Sequence, residues 1–136
     1  MYMELGRIEF NLVECNTEYW EFVRELRNDS RVIGGFIETT YITPEMQNEY
    51  MKLHQHEYRI GLLYGKPVGY VGVIEDDIRV CTHPNYQKLG VGKFMINEAM
   101  KIWPTAFAKV KIDNTASLKL FESCGFTQKY VILTKD

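Results

Sequence analysis

Little in this chain of 136 residues suggests a scaffold held by covalent or metal cross-links. Its three cysteines, Cys15, Cys81 and Cys124, are an odd number without paired spacing. That fits reduced thiols better than a disulfide framework. Four prolines and ten glycines are too few for a collagen-like or low-complexity chain. The longest apolar run lies around 68–74, far short of the about 20 residues that a membrane-spanning helix needs. Glu4, Arg7 and Glu9 interrupt any apolar leader. Neither sign of charge dominates, with 16 Lys+Arg against 18 Asp+Glu. No extended basic stripe for nucleic acid is present. These absences predict a cytoplasmic protein with neither membrane nor nucleic-acid partners, monomeric or homodimeric.

What is present is ordinary globular composition, with 46% apolar and 25% charged residues. The length predicts a single domain over 1–136. A chain of this size can bury roughly two-thirds of its unfolded surface. The charge is unevenly placed. Residues 1–82 hold 14 acids and 8 bases, whereas residues 83–136 hold 4 acids and 8 bases. Such a split suits a cationic substrate on one side and a phosphate-bearing ligand on the other, and it is also what scattered surface charge would give.

Along the chain, 8–13 alternates apolar and polar residues as a half-buried strand does. Asn16 or Thr17 caps a helix running to about Arg27. Residues 28–42 read as a loop, and Thr43-Pro44-Glu45 starts a second helix. Strands at 59–64, 68–74 and 78–82, joined by Gly65-Lys66-Pro67 and Glu75-Asp76-Asp77, predict an antiparallel meander. A helix striped by Val91, Phe94, Met95, Ala99 and Ile102 follows, then a strand at 106–112. Strand, helix and strand from 78 to 112 make a βαβ unit with parallel outer strands. Asn114 or Thr115 caps a last helix that Gly125 ends, and 126–134 reads as a final strand.

The segment Gln87-Lys88-Leu89-Gly90-Val91-Gly92-Lys93 joins a strand to a helix. The first N–H groups of that helix are free, the helix dipole adds partial positive charge, and glycine lets the backbone approach a ligand. With Lys88 and Lys93 this is a phosphate-binding arrangement. It is not a P-loop, because Phe94 stands where a hydroxyl is required. It is not a dinucleotide fingerprint either, because Met95 replaces the third glycine.

The longer run Val80-Cys81-Thr82-His83-Pro84-Asn85-Tyr86-Gln87-Lys88-Leu89-Gly90-Val91-Gly92 resembles the signature of the GNAT superfamily of acyl-CoA-dependent N-acyltransferases. Downstream, Asn114, Ser117, Leu120, Phe121 and Gly125-Phe126 match the family's second block. The resemblance covers about residues 59–135. It implies a mixed α/β (α+β) fold: a mostly antiparallel central sheet with one splayed parallel strand pair, flanked by about four helices. It further implies acetyl-CoA as co-substrate, no metal, and a small amine acceptor. The pantetheine arm would pair with the backbone of Val80, Cys81 and Thr82. The diphosphate would rest on residues 88–93, with Gln87, Lys88, Leu89, Gly90, Val91, Gly92 and Lys93 forming the loop. Asn114, Ser117 and Phe121 complete the cofactor-binding set, and a strand N–H at Val80 or Cys81 would hold the oxyanion.

The implied reaction is direct attack of an amine on the acetyl thioester. An alkyl amine titrates at about 10.4, so about one part in 10³ is neutral at pH 7, a penalty of roughly 4 kcal/mol. The leaving thiolate, with a pKa of about 8.5, needs less help. The family commonly places Tyr where this chain has Phe121, and some relatives have a catalytic Glu where it has Lys109. Asp76 matches the position of a base in other relatives and also reads as a polar turn residue. Ser117 or Tyr130 could supply a hydroxyl in place of the missing acid. A Cys81 acyl-enzyme is unnecessary for this chemistry. His54 and His56 lie about 200° apart on a helix and do not form a metal pair, and His83 reads as a turn residue.

The acceptor should be decided by 19–58, where Leu26-Arg27-Asn28 and Ile42-Thr43-Pro44-Glu45-Met46-Gln47 resemble relatives acting on amino-sugar nucleotides or ribosomal protein N-termini. Glu38, Glu45, Glu49 and Glu57 would suit a cationic amine, and several tyrosines could line its pocket. Three functions follow: acetylation of a small amine such as an amino sugar, acetylation of a protein or peptide, and a catalytically weak acyl-CoA sensor.

Overall fold

A computed structural model of the protein describes residues 8–135. Glu4 and Arg7, part of the argument against an apolar leader, lie outside that span. Strands β1 (Phe10–Glu14), β2 (Tyr58–Leu63), β3 (Lys66–Ile74) and β4 (Asp77–Thr82) form one antiparallel sheet in chain order. Helices α1 (Trp20–Asn28) and α2 (Pro44–His54) precede the meander, and α3 (Val91–Ile102) and α4 (Thr115–Ser123) follow it.

The meander is tight because both hairpins close through two residues with positive φ: Tyr64 and Gly65 at 50° and 81°, Glu75 and Asp76 at 51° and 66°. That is the backbone of a turn whose twist matches the strands it joins. Burial along β3 is nearly continuous from Val68 to Val73, because helices cover both faces of the sheet. On one face Val68, Val73 and Ile78 pack with Val91, Met95, Ile96 and Ala99 of α3. On the other, Tyr58, Ile60, Tyr70 and Cys81 pack with Val23 and Leu26 of α1 and Met51 of α2. Gly69 permits this close approach. A Cβ there would fall 2.6 Å from the Cys81 carbonyl and 2.8 Å from Met95 Cε.

Two of the three expected helix starts carry their caps; at the first helix neither Asn16 nor Thr17 caps it, because a 3-10 turn over Thr17–Tyr19 intervenes and α1 begins at Trp20 with no side-chain cap bond. The Thr43 hydroxyl accepts from the Met46 N–H at 3.1 Å, with Pro44 at the first helical position. The Asn114 carboxamide oxygen accepts from the Ser117 N–H at 3.2 Å. At the end of α4, Gly125 adopts φ 93°, while Phe126 N–H bonds Phe121 C=O and Gly125 N–H bonds Glu122 C=O. This is the Schellman arrangement.

Two expected strands differ. The parallel partner of β4 at 106–112 is reduced to one bridge, Asp77↔Phe107. Ala106, Ala108 and Val110 still pack against the core, so the segment keeps a strand's alternation without its ladder. The final strand at 126–134 does not form, and residues 127–135 are all exposed. The sequence Tyr130-Val131-Ile132-Leu133 has the residues of a strand, yet extended chain becomes sheet only by pairing its backbone, and 106–112 gives it no ladder to join.

Candidate active site

The site begins with the register of β4. His83 N–H donates to Val68 C=O at 2.7 Å, and Tyr70 lies opposite Cys81. Hydrogen-bonding pairs alternate along an antiparallel ladder, so the N–H and C=O of Cys81 and Arg79 face β3. Those of Ile78, Val80 and Thr82 face the other way, toward 106–112. At the near end the second side is closed: Ile78 N–H donates to Phe107 C=O at 2.9 Å, and Phe107 N–H to Asp76 C=O at 2.7 Å. Beyond that bridge, no backbone bond among the described residues joins β4 to 108–112. The two segments form a wedge, and the Val80 N–H and C=O lie along its open side. Of the two strand donors expected for an oxyanion, Cys81 has its N–H turned into the β3 ladder; the free one is Val80.

The wedge leads to the mouth of α3. Lys88 and Gly90 both adopt left-handed backbone, at φ 66° and 92°, and Gly90 is the N-cap. A side chain at Gly90 would strain that conformation. The first intrahelical bond runs from Phe94 N–H to Gly90 C=O at 3.0 Å. The N–H groups of Val91, Gly92 and Lys93 therefore have no helical acceptor, and Lys88 and Lys93 line the same cavity.

A cavity of about 820 Å³ spans wedge and helix mouth. It collects Val80, Cys81, Thr82, Gln87, Lys88, Gly90, Val91, Gly92, Lys93, Asn114, Ser117 and Phe121. Leu89 and Asp76 do not line it. Leu89 is 42% exposed on the loop, and the Asp76 carboxylate accepts from the Thr105 hydroxyl at 3.0 Å. Phe121 is buried and stacks edge-on against Phe126, with ring centroids 5.1 Å apart. Tyr130 is 93% exposed, which leaves Ser117 as the predicted hydroxyl on the cavity wall. Burial pushes the Cys81 thiol up to about 12, with Arg27 pulling slightly the other way. That is the reverse of an activated nucleophile. Burial likewise raises the Tyr70 and Tyr58 phenols, and the Tyr58 hydroxyl bonds that of Tyr50 at 2.8 Å. Among the described residues no group of three or more His, Cys, Asp or Glu is arranged to hold a metal ion. His54 pairs with Glu57 instead.

Sequence reasoning missed part of the lining. Arg27, Asp77, Arg79 and Lys109 enter the cavity, and so does the lip at Gly35, Phe36 and Ile37. Of the four acids expected to attract a cationic amine, only Glu38 lines it. The Leu26-Arg27-Asn28 motif did carry a signal. The Asn28 carboxamide binds both backbone groups of Ile42, donating at 2.8 Å and accepting at 2.9 Å. This clamp ties the end of α1 to the start of α2 and fixes the loop that forms the lip. Asn114 Nδ2 and Lys111 Nζ reach Gly35 and Gly34 carbonyls from the opposite side, at 3.4 Å and 3.0 Å.

A wedge opened on a main-chain donor and leading to a bare helix N-terminus fits a thioester arm that ends in phosphates. Comparison with known proteins agrees. The family model described as "Acetyltransferase (GNAT) family" matches residues 20–126. No curated protein matches the sequence. Among solved structures, spermidine N-acetyltransferase from Vibrio cholerae, in complex with CoA and spermine, superposes with a TM-score of 0.78 at 20% identity, covering 89% of this chain and 82% of that one. Ribosomal-protein-alanine N-acetyltransferase from Brucella melitensis gives 0.71 at 15% identity, covering 85% and 83%. The aminoglycoside N-acetyltransferase AAC(6')-Iy in complex with CoA gives 0.69 at 16% identity, covering 95% of each chain. With the family model spanning most of its length, the chain belongs to the acetyltransferase (GNAT) family, whose enzymes take acetyl-CoA as co-substrate.

Proposed function

We propose that this acetyltransferase moves the acetyl group of acetyl-CoA to the primary amine of a small acceptor, amino sugars included, by direct attack. The observation that carries the reading is the one-ended pairing of β4 with 106–112 beside the open N-terminus of α3. The pantetheine arm completes the ladder that the protein leaves open at Val80. Its diphosphate takes the N–H groups of 91–93 and the charges of Lys88 and Lys93. The Val80 N–H faces the thioester carbonyl and stabilises the oxyanion that forms as the amine attacks. The amine loses one proton to water before attack and the nitrogen loses a second to water as the amide forms; Asp76, the base the resemblance implied, stands outside the cavity. The thiolate departs unprotonated, as its pKa of about 8.5 permits, and Phe121 supplies no acid.

The test is release of free thiol from acetyl-CoA with a panel of primary amines. Amine-dependent release supports the reading. Acetyl-CoA binding without release on the whole panel overturns it in favour of an acyl-CoA sensor, the second reading, which the buried, protonless Phe121 wall favours. Release with peptide N-termini but not with small amines would overturn the small acceptor and retain the transfer.

A further inference from the structure

Where α1 ends, the cavity wall carries a cation with no carboxylate partner among the described residues. Three arginines line the cavity: Arg27, Arg31 and Arg79. Arg31 is held by Asp29 at 2.7 Å, and Arg79 lies 3.8 Å from Asp77. Arg27 has no such carboxylate among the described residues. Its Nε is buried and makes no hydrogen bond, and its guanidinium lies over the Phe36 ring, 5.2 Å from the centroid. Packing on an aromatic face orients the group without satisfying its N–H donors. A buried donor left unpaired is costly, and a guanidinium fork matches two oxygens of one anion.

Position says what that anion belongs to. The cofactor phosphates have their own cations, Lys88 and Lys93, at the mouth of α3. Arg27 instead sits where α1 ends, on the Tyr70 and Cys81 face of the sheet. There its charge is felt at the Cys81 thiol and at the Tyr70 and Tyr58 phenols. That face lies across β4 from α3, beside the wedge in which the thioester would sit. A polyamine or an aminoglycoside would bring more positive charge to a wall where Arg27 is already unpaired.

We infer that Arg27 is a specificity residue for the acceptor, and that the acceptor carries an oxyanion group, a carboxylate or a phosphate, in addition to its reactive amine. This rests on the acetyl transfer proposed above. The class includes amino acids and phosphorylated amino sugars and excludes polyamines.

Matched pairs of amines test it by thiol release. Phenylalanine is compared with phenethylamine, β-alanine with ethylamine, and glucosamine 6-phosphate with glucosamine, for the wild type, Arg27→Gln and Arg27→Lys. In the wild type the acidic member of at least one pair should have the higher kcat/KM, and which pair responds separates carboxylate from phosphate. Arg27→Gln should lower kcat/KM for that acid about 10- to 100-fold, the range for losing a charged hydrogen bond. The loss should fall mainly on the acceptor KM, leave the KM of acetyl-CoA unchanged, and exceed any loss with the bare amine about tenfold. Arg27→Lys should restore part of the loss. Equal or better turnover of the bare amines by the wild type would overturn the inference while leaving acetyl transfer intact. So would an equal loss on both members of each pair in Arg27→Gln, the mark of a merely structural role. Silence with every amine would remove the transfer itself, and this inference with it.

Discussion

Replacing Val80 with proline separates the proposed oxyanion donor from the sheet that carries it. Proline lacks the N–H, and in a sheet it is tolerated where that N–H faces away from a paired strand. Val80 meets this condition. It lies opposite Val71 in the β3–β4 register, at a position that exchanges no hydrogen bonds with β3. Val80→Pro therefore removes no ladder bond and deletes the N–H that Val80 turns into the wedge. Losing one preorganised oxyanion donor costs about 2.7–4 kcal/mol, or about 10²–10³ in rate. Cys81→Pro is the control. It deletes an N–H that the register directs at the Tyr70 carbonyl, leaving a buried acceptor unsatisfied at a cost of about 1–3 kcal/mol in stability. The assays are thiol release from acetyl-CoA, circular dichroism for the fold, and thermal melting. The expected pattern is a folded Val80→Pro with kcat reduced at least about 100-fold, and a Cys81→Pro that suffers chiefly in melting temperature. A folded Val80→Pro retaining more than about a tenth of wild-type kcat would refute the assignment of the donor.

The remaining predictions concern protons and thiols. If the amine loses its proton to solvent, kcat/KM for an alkyl amine should rise about tenfold per pH unit from pH 6 to 9, because the neutral fraction grows by that factor below a pKa of about 10.4. A plateau beginning near pH 7 would reveal a protein base and sink the solvent route. Phe121→Tyr should change turnover at neutral pH by no more than about threefold, since a thiolate with a pKa of about 8.5 leaves without an acid; a tenfold rise, read by the same thiol release, would show that the site lacks a donor it needs. Native-state alkylation followed by mass spectrometry should modify Cys124 first, because Cys15 and Cys81 are only 2% and 8% exposed and burial holds their thiols up at about 11 and 12. Their thiolate fraction at pH 8 is correspondingly small; prior labelling of Cys81 would contradict the buried β4 geometry.

The parts of the fold that were legible in sequence are those fixed by local chemistry. Thr43-Pro44 and Asn114 announced helices because their caps act within one turn, and Gly125 announced an end because of the backbone it permits. The loop 87–93 announced the helix mouth for the same reason. Parity on β4 was not legible. Val80 and Cys81 are both apolar, and a shift of one residue exchanges which of them faces the wedge; only the pairing of Tyr70 with Cys81 decides. The role of Arg27 was hidden differently. The sequence shows an arginine near acids such as Asp29, and only the fold shows Asp29 turned to Arg31.

The two strands that were expected and did not form bear on function in opposite ways. At 106–112 the expected strand keeps its alternation, since Ala106, Ala108 and Val110 pack inward. What is missing is the ladder, and its absence is what opens the site. A segment fully zipped to β4 would bury the Val80 N–H in a protein bond and leave an acyl thioester no backbone to pair with. The single bridge at Asp77 and Phe107 therefore acts as the apex of the wedge. It holds the two segments at one end, while Asn114 and Lys111, bonded to Gly35 and Gly34 across the cavity, hold the far side to the α1–α2 loop. At 127–135 the same absence of pairing has no such consequence, because nothing in that segment lines the cavity. Alternating apolar residues mark a chain able to pair; whether it does depends on the neighbour's backbone, and at the wedge the bonds left unmade are those the proposed pantetheine arm would take.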